Sequence, residues 1–183
     1  MALNDKFFTP AAYSDAQGLS RTTTEWPEAN GGITQPSRVH LRTQLYYYRF
    51  ASSDTPHAHR VAGPWWVEFE VLKKVAIFAR ETGATPRDAV RYFLAVPWRY
   101  SKVDRLIRAL LVHPLDAYRG EGRAVNTETE PAGAHPRDHD TVYIPPRHVH
   151  EIYQLYVPGM RDLAEQAFVD VTDVDIWKSE HFQ

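Results

Sequence analysis

Residues 44–52 read QLYYYRFAS, and this stretch decides the class of fold. Aromatic residues favour β-strands. Here they recur at a period of two, which predicts a strand with one aromatic face formed by Tyr46, Tyr48 and Phe50. Successive side chains of a strand point to opposite faces, so Arg49 and Tyr47 are expected on the other face.

Two helices are predicted after this strand. Residues 63–83 (GPWWVEFEVLKKVAIFARETG) carry apolar residues at the 3.6-residue period of an amphipathic helix, with Pro64 in its first turn and Gly83 after its last. A second helix follows, because the next residues form a helix-start sequence: Thr85 as the cap, then Pro86 and Asp88.

The remaining chain is richer in strand patterns. Residues 105–112 fit either a helix or a strand. Strands are predicted over 141–146 and 151–159, then a short helix and a final strand over 160–177. Helices that do not alternate regularly with strands predict an α+β fold.

The residues before this region carry turn-forming sequence. Residues 1–37 show no sustained periodicity, so they are predicted to form an irregular lead-in to one α+β domain over 38–183.

The amino-acid composition excludes several classes of protein. The chain has 183 residues, 43% of them hydrophobic, and a net charge of −2. It has no cysteine, which excludes disulfides and thiol nucleophiles. No apolar run reaches the ~18 residues of a membrane span, so no membrane partner is expected. Bulk attraction to nucleic acid is not expected at this charge either.

Nine histidines invite a metal interpretation. His57 and His59 form one HxH pair, and His148 and His150 form another. The stretch DTVYIPPRHVHE resembles the second histidine motif of cupins. A cupin also has a glutamate within about four residues of its first HxH pair, whereas Glu68 follows nine residues after His59. No tightly bound transition metal is therefore predicted.

The stretch ARETGATPRDAVRYFL resembles a helix–turn–helix. Residues 60–123 hold 12 Lys/Arg against 7 Asp/Glu, which agrees with a DNA-binding surface read by Arg87 and Arg91. A DNA-binding or protein-interaction module built on residues 64–112 is therefore the alternative function.

Residues spread over three segments of the chain indicate a different function from DNA binding. The Tyr-rich strand with Arg49, the later HAHRVAGPWW with Arg60, and the EIYQLYVPG strand together resemble the ADP-ribosyltransferase-like fold. The closest resemblance is to NAD glycohydrolase toxins related to the tuberculosis necrotizing toxin. It covers about residues 44–60 and 105–160 and implies a mixed β core, here with an inserted pair of central helices.

The resemblance also implies a site. Arg49, with Arg60 as a second arginine, would bind the diphosphate of NAD, while Gln154 would orient the ribose. Glu151 would activate the acceptor or assist Gln154. The nicotinamide would stack on an aromatic side chain of Tyr48, Trp65 or Trp66. These roles suit the chemistry, since guanidinium groups bind phosphates bidentately and aromatic faces suit a planar ring.

A biological context is implied as well. Enzymes of this kind are bacterial toxins that act in the cytoplasm of the target cell, and each needs a neutralising immunity protein. Residues 1–17 are too polar for a signal peptide, so delivery by a secretion system without a cleavable leader is expected. NAD is the expected substrate, with water or another acceptor receiving the ADP-ribose.

Overall fold

The protein is an α+β fold in a computed structural model, which describes residues 1–19, 31–96, 100–123 and 152–183. Its five α-helices within these ranges are α1 (Pro10–Ala16), α2 (His57–Val61), α3 (Phe69–Thr82), α4 (Pro86–Leu94) and α5 (Met160–Ala167). Its strands are β1 (Ile33–His40), β2 (Tyr46–Ala51), β3 (Trp65–Trp66), β4 (Arg105–Leu111), β5 (Asp116–Gly122), β6 (Tyr153–Tyr156) and β7 (Phe168–Asp175).

The strands form two antiparallel sheets. The first has the order β1-β5-β6-β3, and the second has the order β2-β4-β7. In the first sheet Gly120 of β5 lies opposite Gln154 of β6, and in the second Arg49 of β2 lies opposite Ile107 of β4.

The two sheets are joined by one backbone bridge. Trp65 and Trp66 pair with β6 of the first sheet, whereas the next residue, Val67, pairs with Tyr48 of the second. The Tyr48 amide donates to the Val67 carbonyl at 3.0 Å, and the Val67 amide donates to the Tyr48 carbonyl at 2.8 Å. The chain therefore crosses from one sheet to the other within three residues.

The second sheet is covered on both faces. On one face Tyr48 and Leu106 pack against α3 and α4, in a cluster with Val75 and Phe93. On the other face, buried residues meet the first sheet and α5, among them Tyr47, Ile107, Trp66, Leu155 and Met160. The predicted alternation along β2 is confirmed, because Tyr46, Tyr48 and Phe50 all contact the first cluster.

The start of α4 is confirmed in detail. Thr85 accepts a hydrogen bond from the Asp88 amide at 3.1 Å, and its hydroxyl donates to the Asp88 carboxylate at 2.7 Å. Pro86 occupies the first turn, where its missing N–H costs no hydrogen bond.

The start of the first central helix was predicted wrongly. Its C-terminal glycine is confirmed, since Gly83 adopts a left-handed φ of 69°. However, α3 begins only at Phe69, and Trp65–Trp66 is a strand. The apolar period alone cannot place this boundary, because the pairing of the two tryptophans with β6 overrides it.

The chain after the two central helices, from residue 105 onward, mostly follows the prediction. Residues 105–111 resolve as the strand β4, because they are the central strand between β2 and β7. Strand β6, helix α5 and strand β7 lie where the pattern predicts them. The predicted strand over 141–146 lies outside the described residues.

The prediction of an irregular lead-in over 1–37 needs correction. Helix α1 lies in this range, β1 begins in it, and α1 packs on Ile33, Tyr118 and Tyr156 of the first sheet. Thr9 caps α1 by accepting from the Ala12 amide at 3.2 Å. In the part of the chain that the structure describes, no helix combines the length and apolarity needed to cross a membrane.

Asn4 fastens this N-terminal segment. Its side chain is fully buried, and its Nδ2 donates to the carbonyl of Asp116 at 2.8 Å and to that of Pro158 at 3.2 Å. Its Oδ1 accepts from the Asp116 amide at 2.9 Å. One amide thus satisfies three backbone groups of distant segments.

Replacing Asn4 should therefore destabilise the whole domain. We expect Asn4→Ala to lower the free energy of unfolding by about 3 kcal/mol, because buried backbone groups lose their partners. Urea unfolding measures the difference. Lys6→Ala, at an exposed position nearby, is the control and should leave stability within about 0.5 kcal/mol. Equal stabilities of the Asn4→Ala variant and the native chain would contradict this role.

Candidate functional site

A cavity of about 500 Å³ opens where the two sheets meet. Its walls include Tyr48, Arg49, Trp65, Leu94, Ser101 and Gln154. They come from β2, β3, β6 and the C-terminal end of α4, except Ser101, which lies between α4 and β4. This volume lies in the range of pockets that hold small-molecule ligands. The structure therefore brings Arg49 and Gln154 to one cavity, although 105 residues separate them.

Arg49 is a cation with few protein partners. Its Nη1 donates to the Trp65 carbonyl at 2.8 Å, while its Nε is buried and has no hydrogen-bond partner within the described ranges. No carboxylate of those ranges lies within ion-pair distance of it. Burial lowers the pKa of Arg49 to about 10, so the guanidinium remains charged at neutral pH. The side chain is half-buried, so the charge is partly desolvated without a counter-ion from the described ranges, and an anionic ligand would offset that cost.

Gly63 sets the place of this guanidinium. A Cβ atom on Gly63 would lie 1.9 Å from Nη2 of Arg49 and 2.0 Å from its Cζ. The guanidinium therefore rests directly against the glycine backbone. Only a residue without a side chain leaves that space, so Gly63 belongs to the site even though it carries no functional group.

Gln154 is 8% exposed and lines the cavity. Its Nε2 donates to the carbonyl of Leu94, the last residue of α4, at 3.2 Å. The Oε1 atom accepts no hydrogen bond from the described residues, so it is available to a ligand hydroxyl or amide. Glu151, which was predicted to assist it, lies outside those residues.

The three predicted stacking residues differ in their surroundings. Trp66 is 1% exposed, its ring stacks on that of Phe168 with centroids 4.7 Å apart, and its Nε1–H donates to the Gly63 carbonyl at 2.8 Å, so it is a core residue. Tyr48 is also buried, and its ring contacts His181 edge-on at 5.7 Å. Trp65 is half-buried and packs edge-on against Tyr156 at 5.0 Å. Trp65 is thus the best placed of the three to stack a ligand.

Arg60 lies elsewhere. It is absent from the walls of the cavity and pairs with Asp173 of β7 at 2.6 Å. Arg105 and His57 bind the same carboxylate, at 2.7 Å and 2.8 Å. Burial alone would raise the pKa of Asp173, but hydrogen bonds from these three side chains hold it below its ordinary value of 3.8. Arg60 is therefore committed to a structural ion-pair cluster.

The first HxH pair does not converge. His57 and His59 lie on the short helix α2, where residues two apart point about 200° away from each other. Within the described ranges, no group of three or more His, Asp or Glu side chains is placed to hold a metal ion. His148 and His150 are outside those ranges.

The helix pair α3–α4 does not present the predicted DNA-reading arginines. The prediction that Arg91 is exposed is wrong: it is 8% exposed, and its Nη2 donates to the Ser101 carbonyl at 3.0 Å. Arg87 is half-buried. The apolar residues of α4 explain this, because Val90, Phe93 and Leu94 draw the helix into the core.

Sequence patterns did not point to two parts of the site. Gly63 has no signal beyond being a glycine before a proline. The carbonyl of Leu94 is a backbone group, so its link to Gln154 depends on how α4 packs beside β6. Neither contact follows from periodicity or spacing.

Gly63→Ala should displace Arg49. We expect the added methyl group to lower the free energy of unfolding by about 1–3 kcal/mol, the usual cost of overpacking. Chemical denaturation of a double-mutant cycle measures the effect. In an Arg49→Met background the same substitution should cost clearly less, because the guanidinium it meets is gone. Equal costs in both backgrounds would refute the contact.

The ion-pair cluster of Asp173 with Arg60, Arg105 and His57 should make the free energy of unfolding depend on pH in the acid range. A carboxyl whose pKa is lower in the folded than in the unfolded chain stabilises fully above about pH 5 and loses this contribution as the pH falls toward 2. We expect Asp173→Asn to flatten that part of the stability–pH curve and to cost about 3 kcal/mol at pH 7, since Arg60 and Arg105 lose their anion. Urea unfolding at several pH values measures both.

Asp54→Asn is the matched control, because Asp54 pairs with Lys102 at the surface and its side chain is 64% exposed. It should change stability by less than about 1 kcal/mol. An unchanged acid slope in Asp173→Asn would contradict the assignment.

Comparisons of the chain with protein-family models, with curated proteins and with solved structures gave no match.

Proposed function

We propose that the chain is an enzyme that cleaves NAD at the bond between nicotinamide and ribose, as a glycohydrolase or an ADP-ribosyltransferase. One observation carries this proposal: Arg49, a half-buried cation without a carboxylate partner in the described ranges, shares a cavity with Trp65 and with Gln154, whose Oε1 accepts no hydrogen bond from those residues. An anion-binding group, a hydrogen-bond acceptor and an aromatic ring are the three features that a nicotinamide dinucleotide requires.

The chemistry assigns a role to each group. The guanidinium of Arg49 binds the diphosphate, and Trp65 or Tyr48 packs on the nicotinamide ring. The C–N bond breaks with its electron pair leaving on the nicotinamide nitrogen, which produces an oxocarbenium-like ribose. Oε1 of Gln154 accepts a hydrogen bond from a ribose hydroxyl, which keeps its proton, and stabilises that state. An oxygen of water or of another acceptor then forms the new bond to the ribose carbon and loses its proton.

The α+β class supports this proposal, although the mixed β core that the resemblance implies differs from the described strands, all of whose pairs are antiparallel. Two antiparallel sheets that meet at a cavity, with a helix pair inserted between β3 and β4, are compatible with an ADP-ribosyltransferase-like core. The bacterial toxin context and a neutralising immunity protein are proposed on the same resemblance. The buried Arg91 gives no support to the DNA-binding alternative.

The test is incubation of the purified chain with NAD while nicotinamide release is followed by chromatography. We expect Arg49→Ala to raise KM about 10- to 100-fold, because charge-assisted hydrogen bonds to the diphosphate are lost. Gln154→Ala should lower kcat on the order of 10²–10³-fold, because it removes an acceptor aimed at the developing charge.

Two exposed positions give matched controls. Arg42→Ala removes an arginine from an exposed loop, and Gln166→Ala removes a glutamine from the exposed face of α5. Both should keep native rates. Full turnover in the Arg49→Ala/Gln154→Ala double variant, or no nicotinamide release by the native chain, would end the proposal.

A further inference from the structure

One wall of the cavity is formed by the end of α4 and by described residues that follow it. Leu94, Ala95, Val96 and Ser101 all line the cavity from this side. The Leu94 carbonyl accepts the hydrogen bond from Gln154. The orientation of the Gln154 amide therefore depends on where the end of α4 places that carbonyl.

The turn that ends α4 is strained. Ala95 adopts a left-handed conformation with φ 48° and ψ 50°. For a residue with a side chain this conformation costs on the order of 1 kcal/mol, and it persists only where neighbouring contacts enforce it. Ala95 is buried, so a contact that holds this turn must come from within the protein.

Arg91 supplies such a contact. It lies one turn before the end of α4, and its guanidinium reaches past the strained residue to the far side of the segment. Nη2 donates to the Ser101 carbonyl at 3.0 Å, and Nη1 contacts the Val96 carbonyl at 3.4 Å. A single planar group thus ties together two cavity-lining residues that lie on either side of 97–99.

We propose that Arg91 is a positioning residue for Gln154. By holding the Ala95 turn, it fixes the Leu94 carbonyl, which binds the Nε2 of Gln154 and leaves Oε1 facing the cavity. Its role in catalysis rests on the proposed function, whereas its effect on the Gln154 amide does not. Arg91 itself is not assigned a contact with the ligand.

The experiment follows the side-chain amide protons of Gln154 by NMR in the full ¹⁵N-labelled chain. We expect Arg91→Met to speed their exchange with water by about tenfold, because the hydrogen bond to Leu94 is held less firmly. The exchange rate in Arg91→Lys should lie between those of the native chain and Arg91→Met, since lysine keeps the charge but lacks the planar guanidinium. Arg80→Met, at an exposed position of α3, is the control and should leave the exchange unchanged.

A second variant tests the route through Ala95. Glycine adopts the left-handed conformation without strain. Adding Ala95→Gly to Arg91→Met should therefore restore part of the protection of Gln154. If the Arg91→Met chain does not fold, Arg91→Lys with and without Ala95→Gly makes the same comparison. Native protection of Gln154 in a folded Arg91→Met chain, or no recovery with glycine at position 95, would overturn the proposal.

Turnover gives an independent readout. Where the native chain releases nicotinamide, Arg91→Met should lower kcat about tenfold with little change in KM, and this loss should vanish in a Gln154→Ala background. Additive losses would count against the proposal. A native chain that releases no nicotinamide would remove the proposed function, while the exchange of the Gln154 amide would still decide the role of Arg91.

Discussion

The two hydrogen bonds between Tyr48 and Val67 are the constraint on which the architecture depends. They make residues 65–67 a member of both sheets, because Trp65 and Trp66 pair with β6 while Val67 pairs with β2. A strand shared in this way fixes the corner at which the sheets meet. The cavity lies at that corner, where Arg49 approaches from one sheet and Gln154 from the other.

The same corner explains how Arg49 is held as a half-buried cation. Its guanidinium lies between the carbonyl of Trp65 and the bare backbone of Gly63, so its position is set by main-chain atoms that a substitution cannot easily move. Main-chain carbonyls solvate a cation only in part, and they do not neutralise its charge. The fold therefore holds a cation without a counter-ion from the described residues at the cost of some stability, as is common at functional sites.

The sequence predicted local features well where a short pattern determines them. The cap of α4 follows from Thr85 and Asp88 alone, and the faces of β2 follow from the alternation around Tyr48. Features that depend on residues distant in the chain could not be predicted from such patterns. Trp65–Trp66 is a strand only because β6 lies beside it, and α1 and Asn4 have positions that depend on the first sheet. For the site, the pairing of Arg49 with Gln154 was expected from a family resemblance, whereas Gly63 and the Leu94 carbonyl have no local signature.

The hydrogen bonds of Asn4 have a consequence for how the protein folds during synthesis. Its partners lie 112 and 154 residues later in the chain, and β1 pairs with β5, which begins at Asp116. During synthesis Asn4 is therefore made long before the backbone groups that it binds. Folds dominated by such distant pairings form slowly, and their exposed strand edges are open to association in the meantime. The first sheet can close only after β6 (Tyr153–Tyr156) has been synthesised, so Asn4 and β1 stay without these partners through most of the synthesis of residues 1–156.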